Sequence, residues 1–453
     1  MEISLTFCPR PHDRVSMAII FEIPVIVKLL GVFALIVLLI RLKQPLGTAF
    51  LSGAIILGLW SQMSVLHVAS SIGASVIQAK TLFLTTMIVL ILILSHSLEK
   101  FGQMRRLLTA FQGLIRNAKL NLVMFPTLIG LLPMPGGAIF SAPMVQELGK
   151  EHALKPEVKS LINYWFRHVW EYSWPLYPGP LLAVSLASLS IWQFCGLSLP
   201  LTLVAIAAGD VFLLYHLPRQ QSDGIPPKTT AAQRATFFKE MAPILSVIVG
   251  ALAGSVLVSG VRQFTGLRAE IPQEVPLIAA LVLSIGWVWR SHRASWSQIL
   301  EILKNKALLT MMYMIMAIYG FKAILEDSHA IVDVSTFLAE QQIPLVLVII
   351  VLPALVGLIS GISVAFVGTT FPIVISLLTT LSIEGTAMLP YLVLAFASGF
   401  MGVMLSPLHI CLILTREYFR ADFGNVYAYL WKLSLTTLIG AICYFGLLLL
   451  IAF

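Results

Sequence analysis

The stretch that decides the fold is GLLPMPGGAIFSAP, Gly130 to Pro143, and its counterpart in the second half is GLISGISVAFVGTTFP, Gly357 to Pro372. Each lies in a hydrophobic run where a membrane helix should continue without interruption. Lipid cannot satisfy backbone groups released from helical hydrogen bonding, so these groups must be buried in protein or line a wet cavity. Paired interruptions of this kind indicate the substrate site of a secondary transporter built from inverted repeats.

The composition indicates an integral membrane protein. Of the 453 residues, 58% are hydrophobic and 11% are charged, whereas a soluble domain carries about 25% charged residues. We therefore expect a multi-pass protein of the cell inner (plasma) membrane. The formal net charge of +8 is attributed to basic cytoplasmic loops and not to nucleic acid binding. The four cysteines have no CxxC spacing, so no metal site and no disulfide framework are predicted.

Ten apolar runs are long enough to span a membrane, which takes about 17 to 25 helical residues. They are Ile23–Ile40, Gly47–Leu66, Thr81–Leu98, Ser160–Trp192, Ser198–Leu217, Met241–Gly260, Val275–Trp289, Ala307–Leu325, Leu389–Leu414 and Val426–Ile451. Two further runs, residues 121–147 and 344–378, are equally apolar but broken at their centres. Each is predicted to be a re-entrant hairpin.

Lysine and arginine residues set the orientation, because cytoplasmic loops carry an excess of them. If the first helix enters from outside, nearly all basic clusters fall on the cytoplasmic side, including Lys100–Lys119, Lys150–Lys159 and Arg290–Lys306. The opposite loops carry the acidic segment Glu326–Glu340. Both termini are therefore predicted to lie outside, with the first hairpin entering from the cytoplasm and the second from outside.

The predicted fold class is an all-α polytopic membrane protein with two inverted repeats of five transmembrane helices, each with a re-entrant hairpin. The repeats are residues 23–217 and 241–453, joined by a cytoplasmic linker, residues 218–240. A polar N-terminal segment, residues 1–22, precedes them and lacks the features of a signal peptide. Either Met1 or Met17 can be the start of the protein.

The candidate substrate site combines the two hairpin tips with the two broken helices that follow them. Helix four contains RHVWEYSWPLYPGP and helix nine contains ASGFMGVMLSPLH. The predicted substrate-binding residues are Pro135, Gly136, Gly137, Ser141, Ser173, Tyr177, Gly179, Ser360, Gly361, Ser363, Thr369, Thr370, Ser406 and His409. Free carbonyls at such breaks suit Na⁺, and free N–H groups at half-helix N-termini suit an anion. The alternatives are small-residue packing seams between helices and proline kinks that serve packing alone.

Ionisable residues inside a membrane are costly and therefore suggest function. Asp210 is the only carboxylate well inside helix five, and Glu171 follows Arg167 by four residues in helix four. These three residues and His168 are the candidates for ion coupling. The structural alternatives are an ion pair between Arg167 and Glu171, a pair between Asp210 and Arg167, and a hydrogen-bonded core histidine at His168 or His409.

Sequence motifs of enzymes are missing. The chain contains no GxSxG, HExxH or P-loop lysine motif, each of which would place a nucleophile, a metal or a phosphate. We therefore expect a protein that is not an enzyme. An ion gradient would have to drive transport, since no ATPase motif is present.

The stretches GLLPMPGGAIFSAPMV (Gly130–Val145) and HVWEYSWPLYPG (His168–Gly179) resemble a family of ten-helix integral membrane proteins of bacteria and archaea, a domain of unknown function. It is grouped with the ion transporter superfamily, which includes gluconate, citrate, dicarboxylate, arsenite and Na⁺/H⁺ transporters. LSPLHICLIL (Leu405–Leu414) is similar to the broken second-repeat helix of that superfamily. The resemblance covers essentially the whole chain.

The resemblance implies paired re-entrant hairpins, inverted repeats and elevator-type motion, often in a homodimer. The Na⁺-coupled dicarboxylate branch carries Ser-Asn-Thr at both tips. Here Pro135-Gly136-Gly137 and Gly361-Ile362-Ser363 stand instead, so Na⁺ sites of that type do not carry over and proton coupling stays open.

The function expected from the sequence is ion-coupled secondary transport of a small organic anion, a carboxylate, by an alternating-access mechanism. No cofactor is expected beyond Na⁺ or H⁺ as coupling ion. The expected partners are the small-molecule anion, membrane lipid and a second copy of the chain, without nucleic acid. The alternative is a cation/proton antiporter without an organic substrate, in which Asp210 exchanges ions directly.

Overall fold

The computed structural model describes residues 25–111, 114, 117–134, 136–215, 231–265, 272–330, 333–334, 336 and 340–452. The predictions for the N-terminal segment, for residues 218–230 of the linker and for Pro135 lie outside the described residues. The described part of the chain is helical, with no β-strand in it.

The described residues contain nineteen α-helices, numbered here in chain order. The first ten are α1 (Val25–Arg41), α2 (Leu46–Trp60), α3 (Val65–Ile77), α4 (Ala79–Lys100), α5 (Gln103–Phe111), α6 (Ala118–Ile129), α7 (Ala138–Glu151), α8 (Pro156–His168), α9 (Pro178–Ala187) and α10 (Ile191–Gly209). The others are α11 (Ala231–Thr265), α12 (Val275–Ser291), α13 (Trp296–Leu303), α14 (Lys306–Asp327), α15 (Leu345–Ser360), α16 (Ser363–Thr380), α17 (Leu389–Leu405), α18 (Ile410–Phe419) and α19 (Phe423–Ala452).

Several helices correspond to predicted spans. For example, the run Val275–Trp289 corresponds to α12, and Ala307–Leu325 lies within α14. Among the described residues, seven helical stretches are long and apolar enough to cross a membrane. Six of them correspond to predicted spans, and the seventh, Ser363–Thr380, lies in the second predicted hairpin. The protein is therefore a multi-pass membrane protein, as the composition predicted.

Three helices were not predicted, namely α3, α5 and α13. The sequences of α5 (QMRRLLTAF) and α13 (WSQILEIL) are 9 and 8 residues long, and a helix of that length cannot span a bilayer. Helix α13 begins with a capping box, in which Ser295 and Gln298 bond each other's backbone N–H groups. Ser64 is the N-cap of α3, and its hydroxyl accepts a hydrogen bond from the His67 N–H.

The chain divides into two compact units, described here one at a time. Unit 1 comprises residues 1–81 and 313–344, and unit 2 comprises residues 82–312 and 345–453. The core of unit 1 holds an aromatic cluster in which Phe321 lies edge-on to Phe33 and Phe50, with ring centroids 6.3 and 6.0 Å apart.

Within unit 2, α15 and α17 approach each other closely. A Cβ atom added at Gly357 would lie 2.1 Å from the carbonyl oxygen of Gly399, and one added at Gly402 would lie 2.1 Å from that of Ala354. Only glycine allows two helix backbones to meet at this distance. Gly357, within the second broken stretch of the sequence, is therefore a packing residue.

Four interruptions divide helical segments of unit 2. The first break, residues 130–137, separates α6 from α7, and the second break, residues 361–362, separates α15 from α16. A 3₁₀ turn, Val169–Tyr172, and an irregular segment interrupt the path from α8 to α9, while residues 406–409 separate α17 from α18. These are the four places where the sequence concentrates proline and glycine.

Candidate functional site

Each of the first and second breaks contains one glycine with a left-handed backbone. The φ angle is +73° at Gly136 and +67° at Gly361, a region that L-residues other than glycine rarely adopt. A new helix starts within two residues of each glycine, at Ala138 and at Ser363. The sequence-based prediction that both stretches are broken is therefore correct in position.

The first break packs around the end of α8. The Tyr177 hydroxyl donates a hydrogen bond to the Gly130 carbonyl oxygen at 2.5 Å, and the Trp174 indole N–H donates one to Leu131 at 2.9 Å. A Cβ atom at Gly130 would lie 2.2 Å from the Arg167 carbonyl oxygen. Gly130 thus allows the break to rest on the backbone of α8.

The guanidinium group of Arg167 lies in this break. The side chain is only 3% exposed; Nη2 donates to the Met134 carbonyl oxygen at 2.5 Å, and Nη1 lies 3.3 Å from His168 Nε2 and 3.7 Å from Cys411 Sγ. A Cβ atom at Gly137 would lie 2.5 Å from Nη2. A permanent positive charge is therefore buried beside the start of α7.

The second break packs against the break between α17 and α18 and against α9. A Cβ atom at Gly361 would lie 2.9 Å from Ser406 Oγ and 3.0 Å from the backbone nitrogen of His409. The Ser363 hydroxyl interacts with the carboxyl group of Glu171, and a Cβ atom at Gly179 would lie 3.2 Å from Ser363 Cβ. The contacts of the two breaks thus involve all four interruptions.

Two histidines join the halves of the site. His168 Nε2 lies 3.2 Å from His409 Nε2, and His168 Nδ1 lies 2.6 Å from the Tyr164 carbonyl oxygen. A carbonyl oxygen accepts a hydrogen bond only from a nitrogen that carries a proton, so the proton of neutral His168 is on Nδ1. His168 Nε2 then accepts hydrogen bonds.

A metal ion fits this cluster poorly. His168, His409 and Cys411 place three potential ligand atoms within 4.8 Å of one another, a set that would suit Zn²⁺ or Cu⁺. However, the Arg167 guanidinium already contacts two of the three. Two unit charges 4 Å apart repel by about 4 kcal/mol at an effective dielectric constant of about 20, and a divalent ion doubles this cost. The arrangement favours an anion.

A buried polar atom without a partner supports this interpretation. Arg167 Nε is buried and forms no hydrogen bond with any described residue. An unsatisfied buried polar atom costs about 1 to 3 kcal/mol. A bound ligand that accepts a hydrogen bond from Arg167 Nε would remove that cost.

Other predicted substrate-binding residues are bonded elsewhere. The hydroxyls of Thr369 and Thr370 donate to carbonyl oxygens of their own helix, at Ala365 and Phe366. The Ser360 hydroxyl bonds locally to Ile362, at 3.4 Å. These three hydroxyls stabilise the chain on either side of the second break.

Two predicted serines belong to separate buried contacts. The Ser141 hydroxyl donates to Asn163 Oδ1 at 2.7 Å, and Ser173 Oγ lies 2.8 Å from Thr202 Oγ1. Asn163 Nδ2 in turn donates to the Ala138 carbonyl oxygen at 2.9 Å. Asn163 was missed by the sequence analysis, although an asparagine within an apolar run is itself a signal.

The coupling candidates separate from one another. The side chain of Asp210 is exposed. Asp210 is the first residue of a short π-helical turn, Asp210–Leu214. Arg167 is bonded to Met134, His168 and Cys411 instead, and among the described residues no ion pair joins it to Asp210 or Glu171. Only Arg167, Glu171 and His168 lie with the breaks.

The chain belongs to a protein family of unknown function, DUF401, whose model matches residues 25–447. This confirms the resemblance to a family without an assigned function, while the wider ion transporter superfamily stays a prediction. No curated protein matches the sequence. Among solved structures, the chain is similar to MtrF of Neisseria gonorrhoeae, whose structure is described as illuminating a class of antimetabolite efflux pumps. The TM-score is 0.51 at 14% identity, over 84% of this chain and 83% of MtrF. At this identity, the similarity shows the fold alone.

Proposed function

We propose that this membrane protein is an ion-coupled secondary transporter of a small organic anion, a carboxylate, in the inner membrane. The observation that carries the proposal is the buried guanidinium of Arg167, which lies against the first break with an unsatisfied Nε atom. Among the described residues no acidic group lies within ion-pair distance of Arg167, and Glu171 interacts with it only at longer range. A buried cation without a close acidic partner costs several kcal/mol. An anionic ligand would offset that cost in the bound state.

The paired breaks support a transporter rather than a static membrane protein. Broken helices that meet inside a membrane-spanning bundle are typical of transporter sites, because irregular backbone is tolerated only where it is buried or lines a cavity. We interpret residues 121–147 and 344–378 as re-entrant hairpins of two inverted repeats, residues 23–217 and 241–453. Alternating access would then move both hairpins as an elevator, in a homodimer.

Coupling is assigned to Glu171 and not to Asp210. Glu171 is 7% exposed and interacts with Ser363 at the second break, where a proton or Na⁺ could alter the charge next to the substrate. Asp210 is exposed and outside the cluster. The geometry therefore gives no support to the alternative antiporter, whose mechanism depends on Asp210.

The function is tested with purified protein in liposomes. Uptake of a panel of radiolabelled organic anions is measured with an inward gradient of Na⁺, of H⁺ or of neither, and thermal stability is measured with the same anions. The proposal predicts accumulation of at least one carboxylate that depends on one of the two gradients. Ion exchange between Na⁺ and H⁺ without uptake of any anion would favour the antiporter instead.

A further inference from the structure

The N-terminal ends of α7 and α16 differ in charge. Both helices begin directly after a break, and the positive end of each helix dipole would attract an anion there. Several first-turn N–H groups already donate to nearby carbonyl oxygens, among them Ile139 to Gly136 and Ala365 to Ile362. Beside the start of α7 lies the cation Arg167, and beside the start of α16 lies the carboxyl group of Glu171, which also interacts electrostatically with Arg167. One helix end thus has the cation next to it, and the other is already next to an acidic group of the protein.

One unpartnered hydrogen-bond donor lies beside the start of α7. A Cβ atom at Gly137, the residue before α7, would lie 2.5 Å from Arg167 Nη2 and 3.1 Å from Arg167 Nε. Nε is the guanidinium nitrogen without a hydrogen-bond partner among the described residues, while the other two nitrogens are engaged with Met134, His168 and Cys411. The unpartnered donor of a 3% exposed side chain is therefore next to the helix N-terminus.

We propose that this place, formed by Arg167 and the N-terminal end of α7, binds one carboxylate group of the substrate, and that the transporter selects monocarboxylates over dicarboxylates. A carboxylate accepts hydrogen bonds from a guanidinium in the geometry that proteins use most for this pair. A second carboxylate would find no free cation among the residues that contact the two breaks. At the second break it would meet Glu171, and like charges a few ångströms apart repel strongly in a buried site.

This inference rests on the proposed function and narrows its substrate class. It also explains why glycine occupies position 137. Any side chain there would collide with the guanidinium, since an added Cβ atom would lie 2.5 Å from Nη2.

The test uses matched pairs of anions that differ by one carboxylate: lactate with malate, gluconate with glucarate, and benzoate with terephthalate. Uptake into liposomes and thermal stabilisation of the purified full-length protein are measured for each. We expect transport and stabilisation by the monocarboxylate of at least one pair, with its dicarboxylate partner at least 10-fold weaker.

Variants of Arg167 then test whether this residue binds the carboxylate. Arg167→Gln should weaken binding of the preferred monocarboxylate by about 10- to 100-fold, as expected for loss of a charged hydrogen bond. Arg167→Lys should retain the charge but bind about 10-fold more weakly, because the bidentate geometry is lost. The control is Arg105→Gln, which removes an exposed arginine of α5 and should change nothing.

The possible failures are distinguishable. A preference for the dicarboxylates, or unchanged monocarboxylate binding by a monodisperse Arg167→Gln protein, would overturn the inference while leaving anion transport in place. If Arg167→Gln does not fold, the selectivity of the unaltered protein and the Arg167→Lys variant decide the matter. If none of the six anions is taken up and none stabilises the protein, the inference and the proposed function are both overturned.

Discussion

Replacing Gly361 by alanine should destabilise the protein more than the same replacement at Gly136. Both glycines have left-handed backbones, with φ of +67° and +73°, so both variants carry the penalty of about 1 to 2 kcal/mol for an L-residue in that region. The difference arises from what the new methyl group meets.

At Gly361 the added Cβ would lie 2.9 Å from Ser406 Oγ, 3.0 Å from the His409 nitrogen and 3.1 Å from the Leu408 carbonyl carbon. Two of these are backbone atoms, which cannot rotate away. At Gly136 the nearest atom is Leu414 Cδ1 at 3.4 Å, the end of a flexible side chain. Overpacking costs about 1 to 3 kcal/mol, so we expect losses of about 1 to 2 kcal/mol for Gly136→Ala and about 2 to 5 kcal/mol for Gly361→Ala.

The measurement is the free energy of unfolding in mixed detergent micelles, followed by tryptophan fluorescence. Gly286→Ala is the control: a Cβ there meets nothing within 4 Å, and alanine in a helix is favoured over glycine by up to about 1 kcal/mol. Its stability should be equal or higher. Equal stability of Gly361→Ala and Gly136→Ala would refute the close contact between the second break and residues 406–409.

Three further predictions concern charge and orientation. Asp210→Asn should keep gradient-driven uptake, because the side chain is exposed. Glu171→Gln should lose uphill accumulation but keep exchange of labelled for unlabelled substrate. The reverse pattern would contradict our assignment of coupling to Glu171. Arg106→Gln should lower the free energy of unfolding by about 2 to 4 kcal/mol. The reason is that it leaves the buried Glu240 carboxylate without its partner at 3.0 Å. Arg105→Gln is the control and should leave the free energy of unfolding unchanged. A cysteine at Ser222, which lies outside the described residues, should react with impermeant reagents only from the cytoplasmic side, and labelling from outside would reverse the topology.

The membrane helices were predictable because a single physical requirement produces them. A bilayer demands about 20 apolar residues per helix, and six of the predicted runs correspond to helical stretches long enough to cross it. The short helices α5 and α13 obey no such rule. Both are short and contain charged residues, two arginines in α5 and one glutamate in α13, so a search for apolar runs does not find them.

The positions of the breaks were also predictable, but their surroundings were not. An ion pair between Arg167 and Glu171 was one expectation, on the assumption that residues four apart face the same side of a helix. However, α8 ends at His168, and Glu171 belongs to a 3₁₀ turn, so this geometry does not hold. The two groups still interact electrostatically, but they form no close ion pair, and Arg167 contacts the first break while Glu171 contacts Ser363 after the second.

Hydroxyl groups were the least predictable part of the site. A buried threonine in a helix can bond its own backbone four residues earlier instead of a ligand, and the sequence does not distinguish the two. Thr369 and Thr370 both make this internal bond. They remain at the second break as structural residues in the present conformation.

The second broken stretch shows that a packing seam and a functional break are not exclusive interpretations of the same glycines. Gly357 presses α15 against the backbone of α17 at Gly399, as a packing seam requires. Gly361, one turn later, has a left-handed backbone and packs against Ser406 and His409, which follow the end of α17. Because the seam leaves no space between the two backbones, the second break cannot slide along α17 without separating them. The break, α17 and the residues after it should therefore move as one body, which favours an elevator over a hairpin that opens by itself.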